Sequence, residues 1–75
     1  MNRTLEVYLF HVNSVFGGEK YYYVLTNDVD EKIRIAFPGS GRVKSWEYVG
    51  TVSYYDSESE IRRKLCLSDS IEFSG

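Results

Sequence analysis

Lys32-Ile33-Arg34-Ile35-Ala36-Phe37, followed by Pro38-Gly39-Ser40-Gly41, is the stretch on which the fold turns. Apolar side chains at 33, 35 and 37 alternate with Lys32 and Arg34. Alternation is the pattern of a strand with one face buried and the other in water. It predicts a strand over Lys32–Phe37 with Ile33, Ile35 and Phe37 inward. Pro38 has no ladder donor and the glycines admit positive φ, so a turn closes the segment.

Reading towards the N-terminus, Asn27-Asp28-Val29-Asp30-Glu31 is polar and turn-forming, and it suggests a hairpin connection. Before it, Lys20–Thr26 has strand composition, with Tyr21, Tyr23 and Leu25 on one face and Tyr22 and Val24 on the other. Three consecutive tyrosines cannot all enter one core, because neighbours in a strand point to opposite faces. Thr4–Val12 is the first strand: Leu5, Val7 and Leu9 share a face with His11, and Glu6, Tyr8 and Phe10 share the other. Gly17-Gly18 gives the intervening turn its freedom.

Reading towards the C-terminus, a long strand is expected from about Val43 to Tyr55. Trp46, Tyr48, Val52 and Tyr54 fall on one face with Gly50, and a mid-strand glycine often marks a bulge or bend. Ser57 and Glu60 then have the spacing of a capping box. Ile61 and Leu65 lie four apart on one helical face, and Arg62, Arg63 and Lys64 suit the negative end of a helix dipole. A short helix over Ser57–Cys66 follows, and Ser70–Phe73 returns to alternation.

The expected fold is therefore α+β and β-rich, in the order β-β-β-β-α-β. It is a small antiparallel sheet or partly open barrel of roughly five strands, with one short helix before the last. The expected core is Leu5, Val7, Leu9, Leu25, Ile33, Ile35, Phe37, Trp46, Tyr48, Val52, Ile61, Leu65, Ile71 and Phe73. At 75 residues, with 43% apolar and 27% charged side chains, the chain reads as one domain spanning 1–75. It opens on Met1 without linker composition, which reads as a complete small protein.

Nine basic against eleven acidic residues give a net charge of −2, with no basic footprint for nucleic acid. One cysteine, Cys66, permits no internal disulfide, and no apolar run has signal-peptide or membrane-spanning length; a reducing, cytoplasmic setting is expected. His11 reads as a hydrogen-bonded strand residue and Cys66 as a small semi-buried one. Gly39-Ser40-Gly41-Arg42 reads as a turn, and Arg62-Arg63-Lys64 as a solvated helix end. No histidine–cysteine cluster has zinc spacing, and no loop matches a phosphate or calcium pattern. The expectation is a protein without catalytic residues, metal or cofactor.

Tyrosine supplies seven of the 75 residues, and it is a residue of recognition surfaces. If the sheet is covered on one side only, Tyr8, Phe10, Tyr22 and Tyr55 form an exposed aromatic patch. In a closed barrel or two-layer stack the same residues form a second core. With Asp28, Asp30 and Glu31 as rim charges, they are the candidate partner-binding residues. The functional expectation is a small non-enzymatic protein-binding module. It would act as an inhibitor or antitoxin does, such as a phage protein that blocks a host enzyme or defence system, by occupying a partner's surface. The alternative is a β-barrel that binds single-stranded nucleic acid, stacking bases on aromatics and contacting phosphates through Arg34, Arg42 and Lys44. Edge-strand pairing into a homodimer is compatible with either.

Overall fold

The computed structural model describes residues 3–14 and 16–74. Six elements follow in order: β1 (Thr4–Asn13), β2 (Glu19–Leu25), α1 (Val29–Ala36), β3 (Val43–Ser53), α2 (Glu58–Lys64) and β4 (Glu72–Phe73). Together they make a small α+β domain, mostly strand, around an open four-stranded sheet in the order β3-β1-β2-β4. β1 runs antiparallel to both β2 and β3, and β4 runs parallel to β2.

That arrangement dictates where the helices go. β2, β3 and β4 all run one way, so each helix is a crossover between parallel strands. α1 carries the chain from β2 past β1 to β3; α2 carries it back the other way to β4. Parallel crossovers keep a single hand. Two that travel in opposite directions along the sheet must therefore lie on opposite faces. On the α2 face, Val7, Tyr23, Val52 and Ile61 pack with Leu5, Leu9, Leu65 and Phe73. On the α1 face, Phe10, Val12, Val24 and Phe37 pack with Val29 and Ile33. Each helix seals one core, and the three tyrosines are shared out: Tyr23 is buried on the α2 face, Tyr22 half-buried on the α1 face, Tyr21 exposed.

The expected strand over Lys32–Phe37 is instead α1. Asp28 is its N-cap, and the Asp28 carboxylate accepts from the Glu31 amide at 3.1 Å. Asp30 and Glu31 occupy the first turn and Arg34 the last, as the helix dipole favours. A strand buries 33, 35 and 37; a helix buries Val29, Ile33 and Phe37, spaced by four. The helix wins because its cap is satisfied and because Phe37 then closes over Phe10, with ring centroids 5.6 Å apart. Its cost is one stranded side chain: Ile35 is 67% exposed. Pro38 disfavours helical backbone at Phe37, where the helix stops. The strand count is accordingly four, the sheet is open and not a barrel, and β4 makes it mixed.

The helix expected near Ser57–Cys66 is α2, with Ser57 as N-cap receiving the Glu60 amide at 3.3 Å. It ends in a Schellman-type turn: the Leu67 amide donates to Arg62 O and the Cys66 amide to Arg63 O. Cys66 takes the left-handed position at φ 52° and is exposed, not semi-buried. Arg62 is a structural residue here, not a solvated helix end. Its guanidinium donates to the carbonyls of Ser68 and Ile71 at 2.8 and 2.9 Å and lies 4.9 Å from the Phe73 ring centroid.

The faces of β3 also differ from expectation. Val7 pairs with Gly50, but Tyr8 pairs with Tyr48, so Val49 is an extra residue. Such a bulge reverses the alternation beyond it. Gly50 and Val52 therefore face α2, while Trp46 and Tyr48 face the α1 side. α1 covers β1 and β2 but not this edge, and Trp46 and Tyr48 are 47% and 57% exposed instead of core. Gly50 is closely packed: a Cβ there would lie 2.6 Å from Leu65 Cδ2, so the Leu65 side chain would have to move. Gly50→Val is expected to lower stability by about 1–3 kcal/mol, because the branched side chain pushes α2 off the sheet. An unchanged urea midpoint would contradict this account of the α2–β3 contact.

Candidate functional site

The register assembles one end of the sheet from three separated segments. Thr4 lies opposite Ser53, and the Tyr54 amide donates to Arg3 O at 2.9 Å. The Asn27 side chain donates to Thr4 O at 2.9 Å and accepts from the Glu6 amide at 3.0 Å. These bonds fix the β2–α1 turn and the β3–α2 turn at the same end of β1. Both helices begin at this end, because both leave strands that run towards it.

Tyr54 and Tyr55 project from it, 50% and 77% exposed. Their rings meet edge to face, centroids 5.3 Å apart, and the Arg3 guanidinium sits 5.8 Å from the Tyr54 centroid. Asp56 holds the turn that presents them. Its carboxylate accepts from the Ser53 amide at 3.1 Å and from Lys64 Nζ at 2.9 Å. The Lys64 hydrogen bond, with the Ser53 amide, keeps Asp56 below its ordinary value of 3.8. Beside Tyr55 lies an open cleft of about 460 Å³, lined by Arg3, Thr51, Val52, Asp56 and Lys64.

Five carboxylates stand in or cap the first turns of the two helices at this end, and Arg3 and Lys64 line the cleft beside Tyr55. Asp28, Asp30 and Glu31 open α1, and Glu58 and Glu60 open α2. At the opposite end of the sheet, Lys20, Arg42 and Lys44 flank the starts of β2 and β3. There Lys20 pairs with Glu72 and Lys44 with Glu19.

Of the candidate residues, Tyr55, Asp28, Asp30 and Glu31 lie at this end of the sheet, the three carboxylates at the start of α1, on the face opposite α2. Phe10 is fully buried under Phe37 and Trp46, so it belongs to the second core and cannot touch a partner. Tyr8 is half-buried, and its hydroxyl donates to Glu6, which raises the phenol above its ordinary value of 10.0. Tyr22 is half-buried against Phe37, with the Lys20 ammonium 5.1 Å above its ring. Neither lies at the Tyr54–Tyr55 end. Asp28 spends its carboxylate on the α1 cap, leaving Asp30 and Glu31 the freer charges. Tyr54, Glu58 and Glu60 are the additions sequence reading missed. The Ser57–Glu60 cap placed α2, but only the strand register puts its start at the same end of the sheet as the start of α1.

Among the described residues no group of histidine, cysteine and carboxylates has the arrangement of a metal site, and no helix is long and apolar enough to cross a membrane. His11 is stacked on Tyr21, centroids 4.5 Å apart, and its Nε2 lies 2.8 Å from Glu19 Oε2. Glu19 also pairs with Lys44, and the lysine first, then His11, draws its carboxyl below the ordinary 4.5. Of the basic residues considered for nucleic acid, Lys44 is thus engaged, Arg42 is half-buried, and Arg34 sits on the last turn of α1.

Glu19 and Asp56 predict acid sensitivity. Each carboxyl is lower in the folded than in the unfolded chain. Each therefore contributes stability that is complete above its unfolded value and is lost as pH falls through its folded value. Thermal stability should fall as pH drops below about 4, and Lys64→Met should remove the share due to Asp56. Equal acid sensitivity in the variant would show that the Lys64–Asp56 pair contributes nothing.

No protein-family model, curated protein or solved structure matches this chain.

Proposed function

We propose that this protein is a non-enzymatic binding module that acts by occupying the surface of a protein partner. The carrying observation is that the exposed Tyr54–Tyr55 pair shares one end of the sheet with the acidic first turns of both helices. Tyrosine pairs supply rigid contact area that is released from water on binding, and this is where interface energy concentrates. The carboxylates at the helix starts suit a partner surface rich in lysine and arginine, and they steer its approach. Such a module serves as a small inhibitor or antitoxin, covering a functional surface of its target. The lone cysteine accords with work in a reducing cytoplasm.

The test is affinity capture from an extract of the native source, followed by binding kinetics with the captured protein. Asp30→Lys with Glu31→Lys leaves the Asp28 cap intact and should slow association about tenfold while changing dissociation little. Binding to the protein should persist through moderate salt. If instead the chain binds generic single-stranded DNA or RNA, with affinity that collapses as salt rises and on replacement of Arg34, Arg42 or Lys44, the nucleic-acid reading replaces this one.

A further inference from the structure

β3 is an outermost strand of the sheet, and alternate residues along it turn their backbone N–H and C=O groups away from β1. Natural proteins blunt such edges with proline, charged side chains, bulges, shortness or a covering loop. β3 is eleven residues long and contains no proline. Its pairing with β1 shifts register twice, once at Val49 and once at Lys44. Between the two shifts lies a regular stretch, Ser45-Trp46-Glu47-Tyr48. One of its faces carries Trp46 and Tyr48, packed on Phe10 and Tyr8 from below and open to water above. The other carries Ser45 and Glu47. The bulge turns Lys44 to that second face, where it pairs with Glu19, which also holds His11.

We infer that this edge pairs with β3 of a second copy of the chain, antiparallel about a two-fold axis at Trp46. The sequence of the stretch selects both the occupant and the register. Residues directly opposite in an antiparallel pair share a face. With the axis at Trp46, the two indoles meet each other, and each Glu47 faces Ser45 of the other copy with its Lys44 ammonium alongside. Moving the axis one residue to Glu47 sets Glu47 against Glu47, which like-charge repulsion disfavours. Moving it the other way, to Ser45, draws the bulged Lys44 into the ladder. Centred on Trp46, the three pairs at residues 45–47 are regular and free of like charge, and the bulged Lys44 meets Tyr48 only at their edge. This register joins two four-stranded sheets into one of eight strands and covers the exposed Trp46 of both copies. The Tyr54–Tyr55 ends remain free, so the dimer does not depend on the partner-binding reading.

Sedimentation equilibrium on the full chain tests this, with the emission of Trp46 as a second readout, since it is the sole tryptophan. The chain should sediment at twice 8.7 kDa, and Trp46 emission should shift to the blue as concentration rises. Ser45→Glu faces Glu47 of the other copy at two symmetric places and should weaken the dimer about tenfold, whereas Ser45→Lys should hold or tighten it. Ser45 is exposed, so both variants are expected to keep the circular dichroism of the parent. A chain that stays monomeric at its solubility limit overturns the inference and leaves the edge to a different protein. A dimer that responds alike to glutamate and lysine at 45 overturns the register and, with it, the argument for self-recognition. Tyr55→Ala should leave the dimer unchanged, which separates this result from the fate of the partner-binding end.

Discussion

Replacing Phe10 with alanine is expected to cost about 3–5 kcal/mol, while the same change at Ile35 should stay within about 0.5 kcal/mol. Phe10 is fully buried at the centre of the α1-face core, in ring contact with Phe37 and Trp46. Truncating it leaves a cavity between sheet and helix that neither can collapse into. A small domain holds about 5–15 kcal/mol in all, so Phe10→Ala brings the chain close to unfolding at ambient temperature. Urea titration followed by circular dichroism reads both variants. The contrast is the informative quantity. If Ile35→Ala proves the costlier of the two, residues 32–37 form a strand with Ile35 inward and the helix assignment fails.

The second large effect concerns binding. Tyr55→Ala should weaken association with the captured protein partner by about 2 kcal/mol or more, roughly thirtyfold in Kd, without moving the urea midpoint. Tyr55 is 77% exposed and its backbone, not its phenol, takes part in the turn, through the amide to Ser53 Oγ at 3.3 Å. Tyr54 is more deeply seated, against Arg3, and its truncation should cost somewhat less. Calorimetry on the two variants decides the point. Affinities equal to the parent's would move the interface away from this end of the sheet.

The class of the fold is legible in the sequence, and so is α2, because Ser57 and Glu60 announce its start and Ile61 and Leu65 its buried stripe. The same signal stands at Asp28 and Glu31, three apart, and marks α1 equally well. It is masked by the alternation of Ile33, Ile35 and Phe37, which over six residues fits either period once Val29 is left out of the count. Only tertiary packing decides, since Phe37 reaches Phe10 from a helix and the cap is satisfied there. The faces of β3 are hidden for a different reason. A single bulged residue, Val49, inverts the side chains from Ser45 to Tyr48, and nothing local distinguishes a bulge at Val49 from a bend at Gly50. That one residue moves Trp46 and Tyr48 from the expected core to the surface.

The site is divided in the same way. Tyr55, Asp28, Asp30 and Glu31 can be nominated from residue type alone, but their placement at one end of the sheet rests on register. Phe10 is nominated by face and excluded by α1, the element the alternation disguised. The acidic helix starts escape composition because a net charge is a sum over the whole chain and carries no position.

The most direct test of the binding account is an amide chemical-shift map of the labelled chain as the captured partner is added. The account predicts that the largest changes fall on Tyr54, Tyr55, Asp30, Glu31, Glu58 and Glu60, with Tyr22 and Phe10 little affected. Changes centred on Lys20, Arg42 and Lys44, or none at the Tyr54–Tyr55 end, would contradict it.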